Sequence, residues 1–374
     1  MMKIRVISSL SALYEFKQEW DGIFDDSISK NPFLSWEWSY YWAKNMCPEG
    51  RLLILAVYND AKLAGIAPLF LGEGSVLTAK KSVARFIGDE LADYMDILVR
   101  SDRAEVVSEV LDFLLNMKEV GKIKLVRFPE SAPNLELLST YLVQRQCHHE
   151  IGIDFINPAV SLTGTWEDYY SSLSKGFRRG MNGFRNRLAR TGDVTFHRYE
   201  TEEDMPMKEL FEMHRNRQEY KVGKSIFENA GTRQLFLDLA EVFGERGWME
   251  TSAMRVDGEI VSAVCSLKCR GVYYYWIPVF DPEYIKFAPG KLHIKNLIEH
   301  CYTDNYEQFD FMIGDEEYKF HWSKTIANNY AVTIYKGLFL YKLNKTIVYI
   351  KEYLRGIRDQ NVILKNWWKK VSKI

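Results

Sequence analysis

The sequence predicts an α/β fold built as two tandem halves, each a mixed, mainly antiparallel sheet flanked by helices, with a helical tail at the C-terminus. Three observations carry that prediction. The chain has 374 residues, long for one domain and comfortable for two. The order helix, hairpin, strand, helix, strand occurs in each half. Two short turns, Asp60-Ala61-Lys62-Leu63-Ala64 and Asp257-Gly258-Glu259-Ile260-Val261, also fall at the same point of the two passes, 197 residues apart. Duplication of one unit explains the length and the order together.

In the first half, Leu10 to Phe24 and Trp36 to Met46 carry helical periodicity, the second behind Ser35 as a cap. LLILAVY and KLAGIAPLFL flank a turn at Asn59-Asp60-Ala61 and read as a hairpin. YMDILV reads as a strand, Arg103 to Val120 as a helix and KIKLVRF as a strand after Gly121. In the second half, a helical region from Trp166 to Arg190 ends at Gly192 and precedes the strand VTFHRY. Helices follow at Met207 to Tyr220 and Thr232 to Arg246, then a hairpin turning at Asp257-Gly258. The strand GVYYYWIPVF, a helix from Lys291 to Cys301 and the strand QFDFMIG complete the pass. The boundaries expected are 1–155, 156–337 and a tail 338–374, with the first break at a polar Asn157-Pro158 turn.

Hydrophobic residues make up 47% of the chain, charged residues 26% and aromatics 14%, a globular composition whose aromatics serve cores at least as often as ring-binding grooves. The net charge of −1 gives no overall field for nucleic acid, and no nucleic-acid partner is expected. Five cysteines at positions 47, 147, 265, 269 and 301 match no zinc spacing and read as reduced, mostly buried thiols; no metal is expected. His148-His149 has no partner at ligand spacing and reads as a surface pair. The N-terminus MMKIRVISSL lacks the apolar stretch of a signal peptide, and no run of eighteen apolar residues occurs, so a cytoplasmic location is expected.

One stretch carries most of the functional signal: YYYWIPVFDPEYIKFAPGKLHIKNLIEHC, followed by FDFMIGDEEYKFHW. Upstream lie HRNRQEYKVGKSIF and KGFRRGMNGFRNRLARTGDVTF, and in the first half SWEWSYYWAKNM and GDELADYMDIL. In this order the segments resemble the polysaccharide-associated GNAT acetyltransferases of the CelD/BcsL-like type, and more distantly the Fem-type aminoacyl-tRNA-dependent transferases. The resemblance extends to about residue 336. It implies two tandem GNAT-like domains, the first degenerate and the second catalytic, using acyl-CoA (acetyl-CoA) as co-substrate. It further implies N-acylation of an amino sugar in a polysaccharide precursor, free, nucleotide-linked or lipid-linked. Two alternatives remain at this stage: a Fem-like transferase using aminoacyl-tRNA, and a non-catalytic subunit of a polysaccharide synthesis complex.

The residues read the same way. A strand, a glycine-bearing loop and a helix start at Pro289, Gly290, Lys291 and Leu292 put unpaired backbone N–H groups where a pyrophosphate is held by donors and dipole. In GVYYYWIPVF, Tyr275 and Trp276 point to opposite faces, so at most one of them lines the substrate side. After QFDFMIG, Asp315 is the first choice for a general base, ahead of Asp281 and Glu316. Lys319 is suited to an oxyanion or phosphate, and Tyr318 to protonating a leaving thiolate. His214 and Arg178 are candidates for orienting substrate, Arg178 within a basic run with Lys175, Arg179, Arg185, Arg187 and Arg190. Asp93 and Tyr94 match the family pattern and are expected to face a shared cleft. No Cys sits at a plausible nucleophile position beside a His, which argues for direct transfer without a covalent enzyme intermediate.

The tail stands apart. From Leu338 onward nine Lys/Arg face two acidic residues, a local +7 against −8 for the rest. Leu340, Leu343, Ile347, Ile350, Leu354 and Ile357 recur at spacings of three and four, an apolar stripe on one helix. Leu364, Trp368 and Val371 continue it beyond Asn361, beside Trp367 and Lys365, Lys369, Lys370 and Lys373. The first part is expected to pack on the body, and the last turns suit peripheral contact with an anionic membrane surface at the inner face.

Overall fold

A computed structural model of the chain describes residues 2–29, 31–75, 78, 80–100, 103–200, 206–220 and 223–360, the side chains of 351–360 aside. The first half opens with β1 (Met2–Ile7), α1 (Leu10–Glu15), α2 (Lys17–Asp26) and α3 (Trp36–Met46). It continues through β2 (Leu52–Asn59), β3 (Lys62–Gly72), β4 (Ser82–Phe86), β5 (Leu98–Val99), α4 (Arg103–Asn116), β6 (Val120–Pro129), α5 (Pro133–Gln144) and β7 (His148–Ser161). The second half holds α6 (Trp166–Ser172), α7 (Lys175–Leu188), β8 (Val194–Tyr199), α8 (Met207–Tyr220), α9 (Ala230–Glu245), β9 (Met249–Val256) and β10 (Glu259–Cys269). It ends with β11 (Val272–Phe280), α10 (Pro289–Thr303), β12 (Gln308–Asp310), β13 (Thr325–Tyr335) and α11 (Leu338–Gln360).

All thirteen strands join one sheet, in the order β1-β2-β3-β4-β6-β13-β7-β12-β11-β10-β9-β8, with β5 on β3. The two halves meet by exchanging their last strands. β7, from the first half, pairs with β12 of the second, while β13, from the second, pairs antiparallel with both β7 and β6. The expected Asn157-Pro158 turn is therefore mid-strand. Both residues pair with β13, opposite Ala327 and Ile326, and the Asn157 amide donates to Asn329 at 2.8 Å.

The hairpins expected from the two Asp turns are present, with two-residue loops between Asn59 and Lys62 and between Val256 and Glu259. Asp60 and Asp257 both take positive φ, 52° and 50°, a conformation Asp tolerates better than most residues. Ser35 caps α3 as expected, accepting from Trp38 N at 3.1 Å. Four other expectations need correction. Leu10 to Phe24 divides into α1 and α2 at Phe16, and Trp166 to Arg190 divides into α6 and α7, because Ser174 starts a new helix by accepting from Phe177 N. Of YMDILV only Leu98–Val99 is strand, since the Asp96 carboxylate accepts from its neighbour Ile97 N and from Asn134 and Ser29. QFDFMIG leaves the sheet after Asp310, whose carboxylate accepts from Met312 N at 2.7 Å and turns the chain.

The core continues across the junction. Trp276 of β11 stacks on Phe236 of α9 and meets Phe33 and Trp38 of the first half edge-on, and its indole N–H donates to Leu91 O. Around it, Arg246 pairs with the buried Glu37 at 2.6 Å and Asn45 donates to Asp238 at 2.8 Å, tying α3 to α9. A second core cluster on the opposite face of the sheet packs α7 and α10 on β9 to β12.

Candidate active site

The site begins where two strands part. β11 pairs in parallel with β12 over only three residues, Val272 to Tyr274, but runs on to Phe280 against β10. Beyond Tyr274 its other edge has no strand beside it among the described residues, and a cavity of about 220 Å³ opens there. Tyr275, Pro278, Val279 and Phe280 form one wall, Ala288 to Lys291 and Ile294 another, and Arg217, Ile285 and Tyr318 close it. Alternation along β11 decides the tyrosine–tryptophan question: Tyr275 lines the cavity, and Trp276 is buried in the core on the other face.

α10 aims its N-terminus at this cavity. Ala288 caps the helix in the left-handed region at φ 51°, with no side-chain cap, and Pro289 is the first helical residue. Lys291 N and Leu292 N both donate to Ala288 O, at 3.0 and 3.2 Å. The Gly290 N–H has no protein acceptor among the described residues. Among the described residues two cations, Arg217 and Lys291, line the cavity and no carboxylate does. Leu292 faces away, into a neighbouring hollow bounded by α7 and β8.

The turn after β12 closes the site. Gly314 has φ 127°, and a Cβ there would lie 2.2 Å from Glu316 Oε2 and 2.9 Å from Lys319 Nζ. Lys319 is buried, donates to Ile313 O at 2.7 Å and pairs with Glu316 at 2.9 Å, so its ammonium fastens the turn from inside. Tyr318 faces the cavity, and burial first, then the Glu316 charge, pushes its hydroxyl well above the usual tyrosine range. Asp315 is exposed on the turn and does not line the cavity.

The remaining candidates fall in four places. Asp93 and Tyr94 lie at the junction of the halves, where Tyr94 donates to both Asp310 oxygens at 2.8 and 2.9 Å and Asp93 accepts from Ile313 N at 3.3 Å. Burial raises Asp93 to about 7, against the opposing effects of the Ile313 N–H, Arg127 and Lys319, and raises Asp310 to about 6. His214 is buried beside Phe227 and bonded to Ser225 at 2.7 Å, away from the cavity. Asp281 caps the 3-10 turn of residues 282–287 by accepting from Glu283 N, and Arg178 donates to Leu173 O within the α6–α7 connection. Sequence reasoning missed Arg217 and Asp310. Arg217 is three residues from His214, one helical turn away, and Asp310 is a lone acid inside an aromatic strand, the pattern of a buried, partnered carboxylate.

This strand gap, with a helix start beside it, coincides with a recognised family. Residues 175–320 match the acetyltransferase (GNAT) domain family. Over those residues the second half is similar to a GNAT acetyltransferase domain. Several solved structures share the fold of the whole chain at low identity. FemX is 12% identical with a TM-score of 0.60, over 88% of this chain and 96% of its own. The C-terminal domain of a putative lysylphosphatidylglycerol synthetase from Agrobacterium fabrum is 11% identical with a TM-score of 0.55, over 90% and 97%. L-PGS from Bacillus licheniformis is 11% identical with a TM-score of 0.54, over 90% and 95%. No curated protein matches the chain in sequence. The GNAT match spans β8 to β12 and both walls of the cavity, so the first half, outside it, supplies the junction residues Asp93 and Tyr94 from beyond the transferase domain. Among the described residues no group of three or more His, Cys, Asp or Glu is placed to hold a metal, and no helix is long and apolar enough to cross a membrane.

Proposed function

We propose that the chain transfers an acyl group from acyl-CoA to the amine of an amino sugar in a polysaccharide precursor of the kind its CelD/BcsL-like resemblance implies, nucleotide-linked or lipid-linked. The observation that carries this is the cavity itself, an apolar slot from the free edge of β11 to the start of α10, with two cations and no acid among the described residues of its walls. A pantetheine arm fits such a slot, and the pyrophosphate falls to the free Gly290 N–H, the positive helix end and Lys291.

Transfer is direct. The amine attacks the thioester carbon, the C–N bond forms and the C–S bond breaks. Tyr318, kept protonated by its surroundings, donates to the departing thiolate. The amine's proton leaves through water at the open turn, where Asp315 stands outside the cavity to receive it. Lys319, with its ammonium committed to Ile313 O and Glu316, holds Tyr318 in place and does not meet the oxyanion.

A Fem-like reading with aminoacyl-tRNA as donor has one observation in its favour. Among the described residues, Lys175, Arg178, Arg179, Arg185, Arg187 and Arg190 have no carboxylate in ion-pair contact. Thiol release from an acyl-CoA favours the acyl-CoA reading over the Fem-like one, and its absence with every acyl-CoA alongside tight binding of a partner would favour the non-catalytic alternative. For the placement of CoA, Gly290→Glu sets a carboxylate among the donors and is expected to abolish CoA binding by calorimetry. Unchanged affinity in a folded variant would overturn it.

A further inference from the structure

Arg217 is an unusual cation for an apolar cavity. It reaches in from α8, donates to Pro278 O at 2.6 Å and lies 4.6 Å over the Phe280 ring. Among the described residues it has no carboxylate partner, and its Nε is buried without an acceptor. A half-buried guanidinium without a counter-ion among the described residues is poorly compensated, and its planar fork suits one class of ligand group, the carboxylate or phosphate oxygen pair. Tyr275 stands in the same cavity, itself only 3% exposed, with no acceptor for its hydroxyl among the described residues. Two donors thus line one space to which no carboxylate among the described residues contributes; Glu316, on the turn beside it, is paired with Lys319.

The place of these donors matters. Tyr275 stands where β11 parts from β12, the place of the thioester in the proposed function. Pro278 lies three residues further along that free edge, while the Phe280 ring under Arg217 also faces Gly290 at the start of α10. The pyrophosphate already has its own donors at the helix start. We propose that Arg217 and Tyr275 form a carboxylate subsite, so that the transferred acyl group carries a distal carboxylate, as in a succinyl- or glutaryl-type thioester. This rests on the acyl-CoA reading. The distal carboxylate takes no part in the bond changes; it stays ionised on Arg217 while the C–S bond gives way to C–N and the thiolate is protonated.

The experiment is calorimetry of CoA, acetyl-CoA and succinyl-CoA with the full chain and with R217M and R217K. Wild type is expected to bind succinyl-CoA about 10–100-fold more tightly than acetyl-CoA, the range of one charge-assisted pair. R217M should lose that preference and keep its affinity for CoA, and R217K, which keeps the charge without the fork, should retain part of it. If R217M does not fold, full retention by R217K overturns the fork's role. Equal binding of the two thioesters by wild type overturns the subsite while leaving the acyl-CoA reading intact. An equal loss of all three ligands in R217M assigns Arg217 to the CoA phosphates and also overturns it. Failure of any CoA species to bind wild type removes the acyl-CoA reading itself.

Discussion

Gly314 shows how much one residue decides. At φ 127° it occupies backbone space that side chains rarely enter, and its missing Cβ leaves room for the Glu316–Lys319 pair. Gly314→Ala is expected to destabilise the chain by about 1–3 kcal/mol through strain at that φ and to displace Tyr318, visible as a lower unfolding midpoint and a larger fall in kcat than in CoA affinity. Tyr318→Phe removes only a hydroxyl. It should leave the fold and CoA affinity intact and lower kcat by about 10²–10⁴-fold, and a rate within a few-fold of wild type would exclude Tyr318 as the acid. The motif Gly-Asp-Glu-Glu-Tyr-Lys was legible in the sequence, but the division of labour inside it was not. Which carboxylate faces solvent and which pairs with the lysine depends on where β12 stops, and that is set by the Asp310 side chain accepting from Met312 N.

Among the elements, those with strict periodicity were readable, and those shaped by tertiary partners were not. β8 and α8 match their expected spans residue for residue, as alternation and a three-four repeat allow. β7 was missed because it is buried on neither face along much of its length and lacks the apolar run of a central strand. α11 divides the expected tail. Leu340, Leu343 and Ile347 are half-buried, Tyr341 stacks on His148, and Asn344 donates to Glu150. Ile350 is already 48% exposed, so the stripe leaves the body there. Leu354 and Ile357 fall among side chains not described, and Leu364, Trp367, Trp368 and Val371 lie outside the described residues. Truncation after Asn361 is expected to abolish co-sedimentation with anionic vesicles at low salt while leaving the unfolding midpoint unchanged, since each Lys near such a surface contributes about 1 kcal/mol. Equal sedimentation of both forms would deny the tail that role.

At the scale of the whole molecule, the exchange of β7 and β13 makes the halves interdependent, because either half alone would expose the strand edges the other covers. The repeated hairpins announced two units; nothing in a linear order of elements announces that their last strands cross. The junction this crossing creates holds two buried carboxylates. Asp93 faces Ile313 N, Arg127, Lys319 and Asp310, and its own carbonyl accepts from Asn329 at 2.6 Å; Asp310 faces Tyr94, Met312 N and Gln308. Both are raised above the ordinary carboxylate value of about 4, Asp93 to about 7 and Asp310 to about 6. The folded chain therefore binds more protons than the unfolded chain across this interval, and stability must fall as pH rises through it. The stabilisation is complete below about pH 4 and is lost by about pH 7 for Asp93. Asp93→Asn keeps an oxygen for the Ile313 N–H and cannot ionise. Its unfolding free energy relative to wild type should therefore improve steadily between pH 4 and pH 7, leaving a smaller downward slope from Asp310 up to about pH 6. Denaturant unfolding of both proteins across that range is the measurement. A difference that stays flat with pH would place the Asp93 carboxylate in contact with water or a cation, and one that reverses sign would mean that the junction favours its charged form.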